Sequence, residues 1–240
     1  MRRPLTGSLK LDDYRDIKTG VDFCMTAVEY FHARGGRIEI PHTHRWWEYG
    51  TCVQMLLEQH LTSNKKLSDV DVLNVGSGWD GLSPTIALQF NSNMTEYEPS
   101  AYYRQDRVRI NQILLEDGKK QIHSLGYSLE DMPEQDYDAV FCVSVLEHVD
   151  PATEKQCWRN LARRVRKGGI FFADVDCVPD PNKKYVFDEL RTHNFTIDDM
   201  KERVAIMEEE GLVPIGEPDW NWNGAQVHDF TFFRVGMERR

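Results

Sequence analysis

The chain has no C-x-x-C pair, no internal repeat, no low-complexity segment and no apolar stretch of the length needed to cross a bilayer. Each absence removes a class of protein. The five cysteines, Cys24, Cys52, Cys142, Cys157 and Cys177, are odd in number and scattered, which argues against a disulfide framework and for reduced cytosolic thiols. The opening MRRPLTGSLKLDDYRD holds two arginines with no apolar run behind them, so no signal peptide is expected and the protein is read as cytoplasmic, with no membrane partner. Positive charge is also short, with 29 Lys and Arg against 39 Asp and Glu and a net charge of −10. Bulk charge of that sign cannot grip a phosphate backbone, which argues against nucleic acid as the partner. What remains is an ordinary globular composition, 40% hydrophobic and 28% charged over 240 residues, enough for one substantial core.

The pattern changes at Val70. Before it, residues 21–33 predict a helix with Phe23, Ala27 and Tyr30 on one face, stopped by Gly35-Gly36. Residues 51–61 predict a second helix after RIEIPHTHRWWEYG, and the segment 1–69 is expected to be a helical cap lying across a later sheet. From residue 70 to 240 strands and helices alternate. DVLNVG, NMTEYEP, YDAVFCVSVLEHV and IFFADVD read as strands, the last two too apolar for a surface position. SPTIALQF, AYYRQDRVRINQILLED and ATEKQCWRNLARRVRKGG read as helices, the third closed by Gly168-Gly169. After a proline-marked loop come the helix IDDMKERVAIMEEEG and two strands with no helix between them, expected to pair as an antiparallel edge hairpin. The fold class is therefore α/β, a Rossmann-like doubly wound sheet with a helical N-terminal cap.

The stretch DVLNVGSGWDGLSP, residues 71–84, carries the chemistry. Gly76, Gly78 and Gly81 spell G-x-G-x-x-G after a strand and before a helix, the pattern that lets backbone pass close beneath an adenosine ligand. Glu98 ends the second strand and is suited to accept hydrogen bonds from both ribose hydroxyls. Nicotinamide dinucleotides and S-adenosylmethionine both satisfy that description, so the glycines and Glu98 leave the ligand open.

The order of the later motifs separates the two ligands. VLNVGSGWDG, MTEYEPS, SLEDMPEQDYDAVFCVSVLEHV and RVRKGGIFFADV resemble, in order and spacing, the successive motifs of the class I S-adenosylmethionine-dependent methyltransferases. The VLEHV ending resembles their small-molecule branch. The resemblance covers Val70 to Ala173 well and the first 45 residues poorly. It implies a seven-stranded sheet whose last strand is antiparallel, and S-adenosylmethionine as cofactor. It also implies a cofactor site built from Asn74, Gly76, Ser77, Gly78 and Glu98, with Ser128 and Leu129 at the adenine and Ser144 near the methyl group. Asn74 departs from the family, which usually carries an acid there, and Asp80-Gly81 shifts the third glycine by one. No D-P-P-Y or N-P-P-F tetrapeptide and no Pro-Cys pair is present, which leaves DNA amino and cytosine C5 methylation unsupported.

The remaining candidates are weighed against plain structural roles. His148, Asp174 and Asp176 follow apolar strands and are candidate catalytic bases, with turn capping as the alternative for His148 and its neighbour Glu147. Ser144 stands where some quinone-related relatives carry the first acid of a metal triad, so no metal site is expected. His42-Thr43-His44 lacks a local third ligand. Trp46, Trp47 and Tyr49 either wall a pocket or staple the cap, and the loop 178–197, with Tyr185, Arg191 and His193, is suited to a lid over the acceptor. The basic run RNLARRVRK reads as a solvated helix face. These readings converge on methyl transfer to an O or N nucleophile of a small molecule or saccharide. A non-catalytic adenosine-binding protein and a nicotinamide oxidoreductase are the alternatives.

Overall fold

The computed structural model describes residues 6–8, 17–40, 43–63, 65–78, 80–126, 132, 134–178, 186–187, 192–221 and 231–240. In chain order the elements are β1 (Gly7–Ser8), α1 (Lys18–Ala33), α2 (Thr43–Thr62), β2 (Asp71–Val75), α3 (Leu82–Phe90), β3 (Asn93–Tyr97), α4 (Ala101–Glu116), β4 (His123–Leu125) and β5 (Tyr137–Val143). They continue with α5 (Glu154–Arg163), β6 (Val165–Cys177), β7 (Val186–Phe187), β8 (Thr192–His193), α6 (Ile197–Glu209), β9 (Leu212–Pro214) and β10 (Thr231–Arg239). Seven strands follow one another along the pairing and β9 joins at β10, the α/β sheet with a reversed last strand that the motif order implied.

The chain divides into two compact units. One is Tyr14–Met132 with Tyr137–Phe141; the other is Met1–Asp13, Pro133–Asp136 and Cys142–Arg240. The division does not fall at residue 70, because α1 and α2 pack on each other and on α3 within the first unit.

In the first unit β2 pairs in parallel with β3 from Asp71↔Asn93 to Val75↔Tyr97, and β3 with β4 from Thr95↔His123 to Tyr97↔Leu125. The residues Tyr137–Phe141 of β5 lie on the other side of β2. The almost unbroken apolar sequence of β5 suits a strand covered on both faces, and Ala139 to Cys142 are fully buried. The buried stripe of α1 is Val21, Cys24, Ala27 and Phe31, one position off the expected face, with Phe23 at its margin in edge contact with Phe90 at 5.5 Å between ring centres.

The second helix corrects the sequence reading. It starts at Thr43 rather than at residue 51, so RWWEYG is helical, and Gly50 within it is a crossing point. A Cβ on Gly20 would overlap the carbonyl oxygen of Gly50, and one on Gly50 would lie 2.6 Å from Val21 Cγ2. Glycine is used at both positions because two helix backbones touch there. His44 sits on this helix and His42 lies outside the described residues, so the expectation attached to that pair goes no further.

In the second unit β6 pairs antiparallel with β10 from Ile170↔Glu238 to Cys177↔Thr231, and Cys142–Val143 at the end of β5 runs beside β6. The predicted closing hairpin is present, β9 pairing with β10 from Leu212↔Arg239 to Pro214↔Met237. β1 pairs along the same side of β10, Gly7 opposite Arg234, so β9 and β1 share that edge of the sheet. α5 ends at Arg163 rather than at Gly168-Gly169. Val165 already belongs to β6, and Gly168, at φ 78°, bends that strand instead of capping a helix. The basic run is not simply solvated. Arg159 and Arg163 of α5 pair with Glu209 and Glu210 of α6 at 2.9 and 2.8 Å, while buried Arg203 of α6 returns the contact to buried Glu154 at 2.7 Å. Thr196 and Asp199 form a capping box that starts α6.

The crossing of α1 and α2 yields a direct test. A methyl group forced against backbone costs about 1–3 kcal/mol or more, so Gly20→Ala is expected to lower the unfolding free energy by about 2–3 kcal/mol, read from urea titration.

Candidate cofactor site

The turn between β2 and α3 is shaped by two left-handed glycines, Gly76 at φ 67° and Gly78 at φ 47°. A side chain at either would strain the backbone. The Gly76 N–H donates to the Tyr97 carbonyl at 2.7 Å, fastening the turn to the end of β3. One residue beyond β3, Glu98 is buried and its carboxylate is fixed on both oxygens. Gly78 N–H donates to Oε2 at 2.7 Å and Ser100 N–H to Oε1 at 2.9 Å. Each carboxylate oxygen keeps a further accepting direction, so a ligand hydroxyl can still be bound. Arg104, on the first turn of α4, holds the Glu98 carbonyl at 2.6 Å.

The turn is open where a ligand needs it to be. No described atom lies within 4 Å of the position a Cβ would take on Gly78. The buried Ser77 hydroxyl has no hydrogen-bond partner among the described residues, an uncommon state for a buried polar atom. An orphaned donor, an open glycine and a fixed carboxylate at the carboxyl ends of two parallel strands fit an adenosine-containing ligand. Gly81 contributes differently. Its Cβ position is 3.2 Å from Ile40, so the glycine makes room for the segment entering α2.

Beneath the turn lies a buried charge network. Asn74 donates from Nδ2 to Asp80 Oδ2 at 2.7 Å and to the Ser83 hydroxyl at 2.9 Å. Arg107 of α4 donates from Nε to both oxygens of Glu96 at 2.8 Å. Its Nη2 reaches Asp80 Oδ1 at 3.3 Å, the Asp80 carbonyl at 3.2 Å and the Gly78 carbonyl at 3.5 Å. Ser124 of β4 adds a bond to Glu96 at 3.2 Å. Burial pushes the Asp80 carboxyl up to about 7, the Arg107 charge opposing the rise and that of Glu96 adding to it. Tyr49 of α2 also feels Asp80, and burial raises its phenol well above the usual range.

Other expected site residues are placed as follows. Trp47 and Tyr49 are buried in the first unit and Trp46 is half-buried. In the second unit Ser144 has φ 49°, sparsely populated for a residue with a Cβ, and its N–H donates to the Asp174 carbonyl at 2.8 Å. Asp174 and Asp176 lie within β6 rather than beyond it, because pairing with β10 runs on to Cys177. Asp174 is fully buried in register with buried Arg234, and Asp176 is half-buried opposite Phe232. His148 is exposed in a short 3-10 turn, Leu146–His148, against which β8 packs. His193 of β8 meets the Phe195 ring at 4.9 Å. Ser128, Leu129, Tyr185 and Arg191 lie outside the described residues. Among the described residues no group of three His, Cys, Asp or Glu is placed to hold a metal, and no helix is long and apolar enough to cross a membrane.

Residues 73–173 match the family model described as a methyltransferase domain. The match begins at the strand before the glycine turn and ends within β6. A ubiquinone biosynthesis O-methyltransferase of Rickettsia bellii is 25% identical over 162 residues, covering 60% of this chain and 61% of the relative. The chain thus spans about three-fifths of the length of the curated relatives it matches. Magnesium protoporphyrin IX methyltransferase from Synechocystis PCC 6803, solved with bound S-adenosylmethionine, superposes with a TM-score of 0.58 at 15% identity over 91% of this chain and 98% of that one. The cyclase SpnF superposes at 0.56 with 13% identity over 93% and 96%. The fold is that of the class I methyltransferases.

Sequence reasoning missed the layer beneath the turn. Asp80 was read only as a displaced glycine, and Glu96, Arg104 and Arg107 were not singled out. The available signal was Arg104 and Arg107, three apart and so on one helical face, following a strand with Glu96 among its apolar residues.

Asp80 gives a pH test. Its ordinary value is 3.8, so between there and about 7 the folded protein keeps a proton that the unfolded chain has lost. Its contribution to stability is full below pH 3.8 and is lost as pH rises through about 7. Urea titrations across that interval are expected to show the wild type losing stability relative to Asp80→Asn, and equal slopes would refute the assignment.

Proposed function

We propose that the protein is a methyltransferase with S-adenosylmethionine as cofactor, acting on an O or N nucleophile of a small molecule or saccharide. One observation carries the reading: the Glu98 carboxylate is held by the Gly78 and Ser100 N–H groups beside an open glycine turn. The methyltransferase-domain match over residues 73–173 supports it. When bound, the cofactor supplies an electrophilic methyl group on a sulfonium.

The residues would divide the work. Glu98 holds the ribose hydroxyls, Gly76 and Gly78 let the backbone approach, and the Ser77 hydroxyl takes a polar atom of the methionine portion. Asn74 is occupied with Asp80 and Ser83, so its part is to fix the turn. Ser144 is proposed for the methyl group. The acceptor loses a proton as it is methylated, and His148 is the candidate base whose exposure best suits proton exchange with solvent. Asp176, half-buried, is a second; Asp174, buried opposite Arg234, is better suited to shaping the strand end. His193, with Tyr185 and Arg191, is proposed for the acceptor side, while Trp46, Trp47 and Tyr49 support the cap. The name of the Rickettsia relative, an O-methyltransferase, favours a hydroxyl acceptor, and the VLEHV motif agrees with a small-molecule one.

A second reading has an observation of its own. The cyclase SpnF shares the fold without being called a methyltransferase, so a ligand-binding protein with other chemistry is compatible with the same scaffold.

Calorimetric titration with S-adenosylmethionine, S-adenosylhomocysteine and NAD distinguishes these cases. Binding of the two sulfur ligands is expected, with affinity reduced at least about tenfold in Glu98→Ala, as loss of a charged hydrogen-bond acceptor requires. An NAD signal in their place would overturn the reading. Binding without methyl transfer to any of a panel of phenols, amines and sugars would favour the second.

A further inference from the structure

Besides Glu98, the glycine turn is held by buried groups beneath it, Arg107 and Asp80. Gly78 is held on both sides, its N–H donating to Glu98 at 2.7 Å and its carbonyl in a longer contact with Arg107 at 3.5 Å. Arg104, one turn earlier on α4, holds the carbonyl of Glu98 itself. Arg107 is buried, and a buried guanidinium keeps its place only when carboxylates and carbonyls surround it. Glu96 supplies one carboxylate and Asp80 the other, and Asn74 donates to the second oxygen of Asp80. An amide on β2 thus faces an acid in the turn.

We propose, resting on the cofactor site argued above, that Asp80 and Arg107 are positioning residues for cofactor binding. The acid of the pair stands in the turn at Asp80, and Asn74 on β2 is its neutral partner. The pair acts through Gly78 and Glu98 and touches no ligand. The charge is needed once. With a single acid between positions 74 and 80, Arg107 Nη2 keeps its carboxylate partner and the turn is fixed. With none, Arg107 loses an acceptor. With two, like charges meet at hydrogen-bond distance.

Exchange of acid and amide tests this. Calorimetric titration with S-adenosylhomocysteine at about pH 8.5, where the Asp80 carboxyl is ionised, is expected to show about tenfold weaker binding for Asp80→Asn and for Asn74→Asp, the scale of a lost or opposed charged hydrogen bond. The double variant Asn74→Asp with Asp80→Asn is expected to recover to within about threefold of wild type, a restoration that cavity or packing damage would not produce. Arg107→Lys keeps the charge but cannot span Glu96 and the turn, and should bind about tenfold more weakly without rescue by either swap. Amide hydrogen exchange at Gly78, measured on the free proteins, should quicken in each single variant and slow again in the double. Wild-type affinity in Asp80→Asn, or no recovery in the double variant, overturns the proposal. If the wild type binds neither sulfur ligand, the cofactor reading itself has failed. The exchange rate then still decides whether Asp80 and Arg107 order the turn, and an unchanged rate refutes it.

Discussion

A guanidinium withdrawn from water constrains the groups around it, because a buried charge keeps its place only where carboxylates and carbonyls meet it. Arg107 is that group. It ties α4 to β3 through Glu96 and to the glycine turn through Asp80 and the carbonyl of Gly78. The turn that approaches a ligand is therefore anchored to a helix and two strands, and does not rest on glycine flexibility alone. Left-handed glycines give the backbone its path; the buried ions keep it there.

Around this anchor the first unit is arranged by close approach. Gly20 and Gly50 let α1 and α2 touch, and Gly81 leaves room for Ile40. Tyr49 is held near Asp80 from α2, which joins the N-terminal helices to the charge network. The second unit solves a different problem. There an acidic α6 and a basic α5 neutralise each other along their length, and β10, covered by β6, β9 and β1, has partners along both sides. Its strained Ser144 ends β5 with a backbone bond to Asp174.

The alternation of strands and helices, the reversed last strand and the glycine turn were all legible in order along the chain. Local errors had local causes. Gly50 stands just before the expected second helix but lies inside it at a helix crossing, and Gly168 resembles a helix cap but lies within a strand. A glycine states only that a side chain would be unwelcome; what would collide with it lies elsewhere in the chain. Asp174 and Asp176 read as following their strand, yet pairing with β10, distant in sequence, extends it past both.

The sequence by itself determined the order of elements, the position of the turn and the carboxylate Glu98 at its side, because periodicity and short-range spacing are recorded in consecutive residues. Only the tertiary structure decided that Asn74 and Asp80 act together, that Arg104 and Arg107 point toward the turn, and that Trp47 and Tyr49 are core. Those facts depend on which residues meet after burial. Desolvation then makes the meeting consequential, since a charge that costs little in water must find its opposite once water is gone.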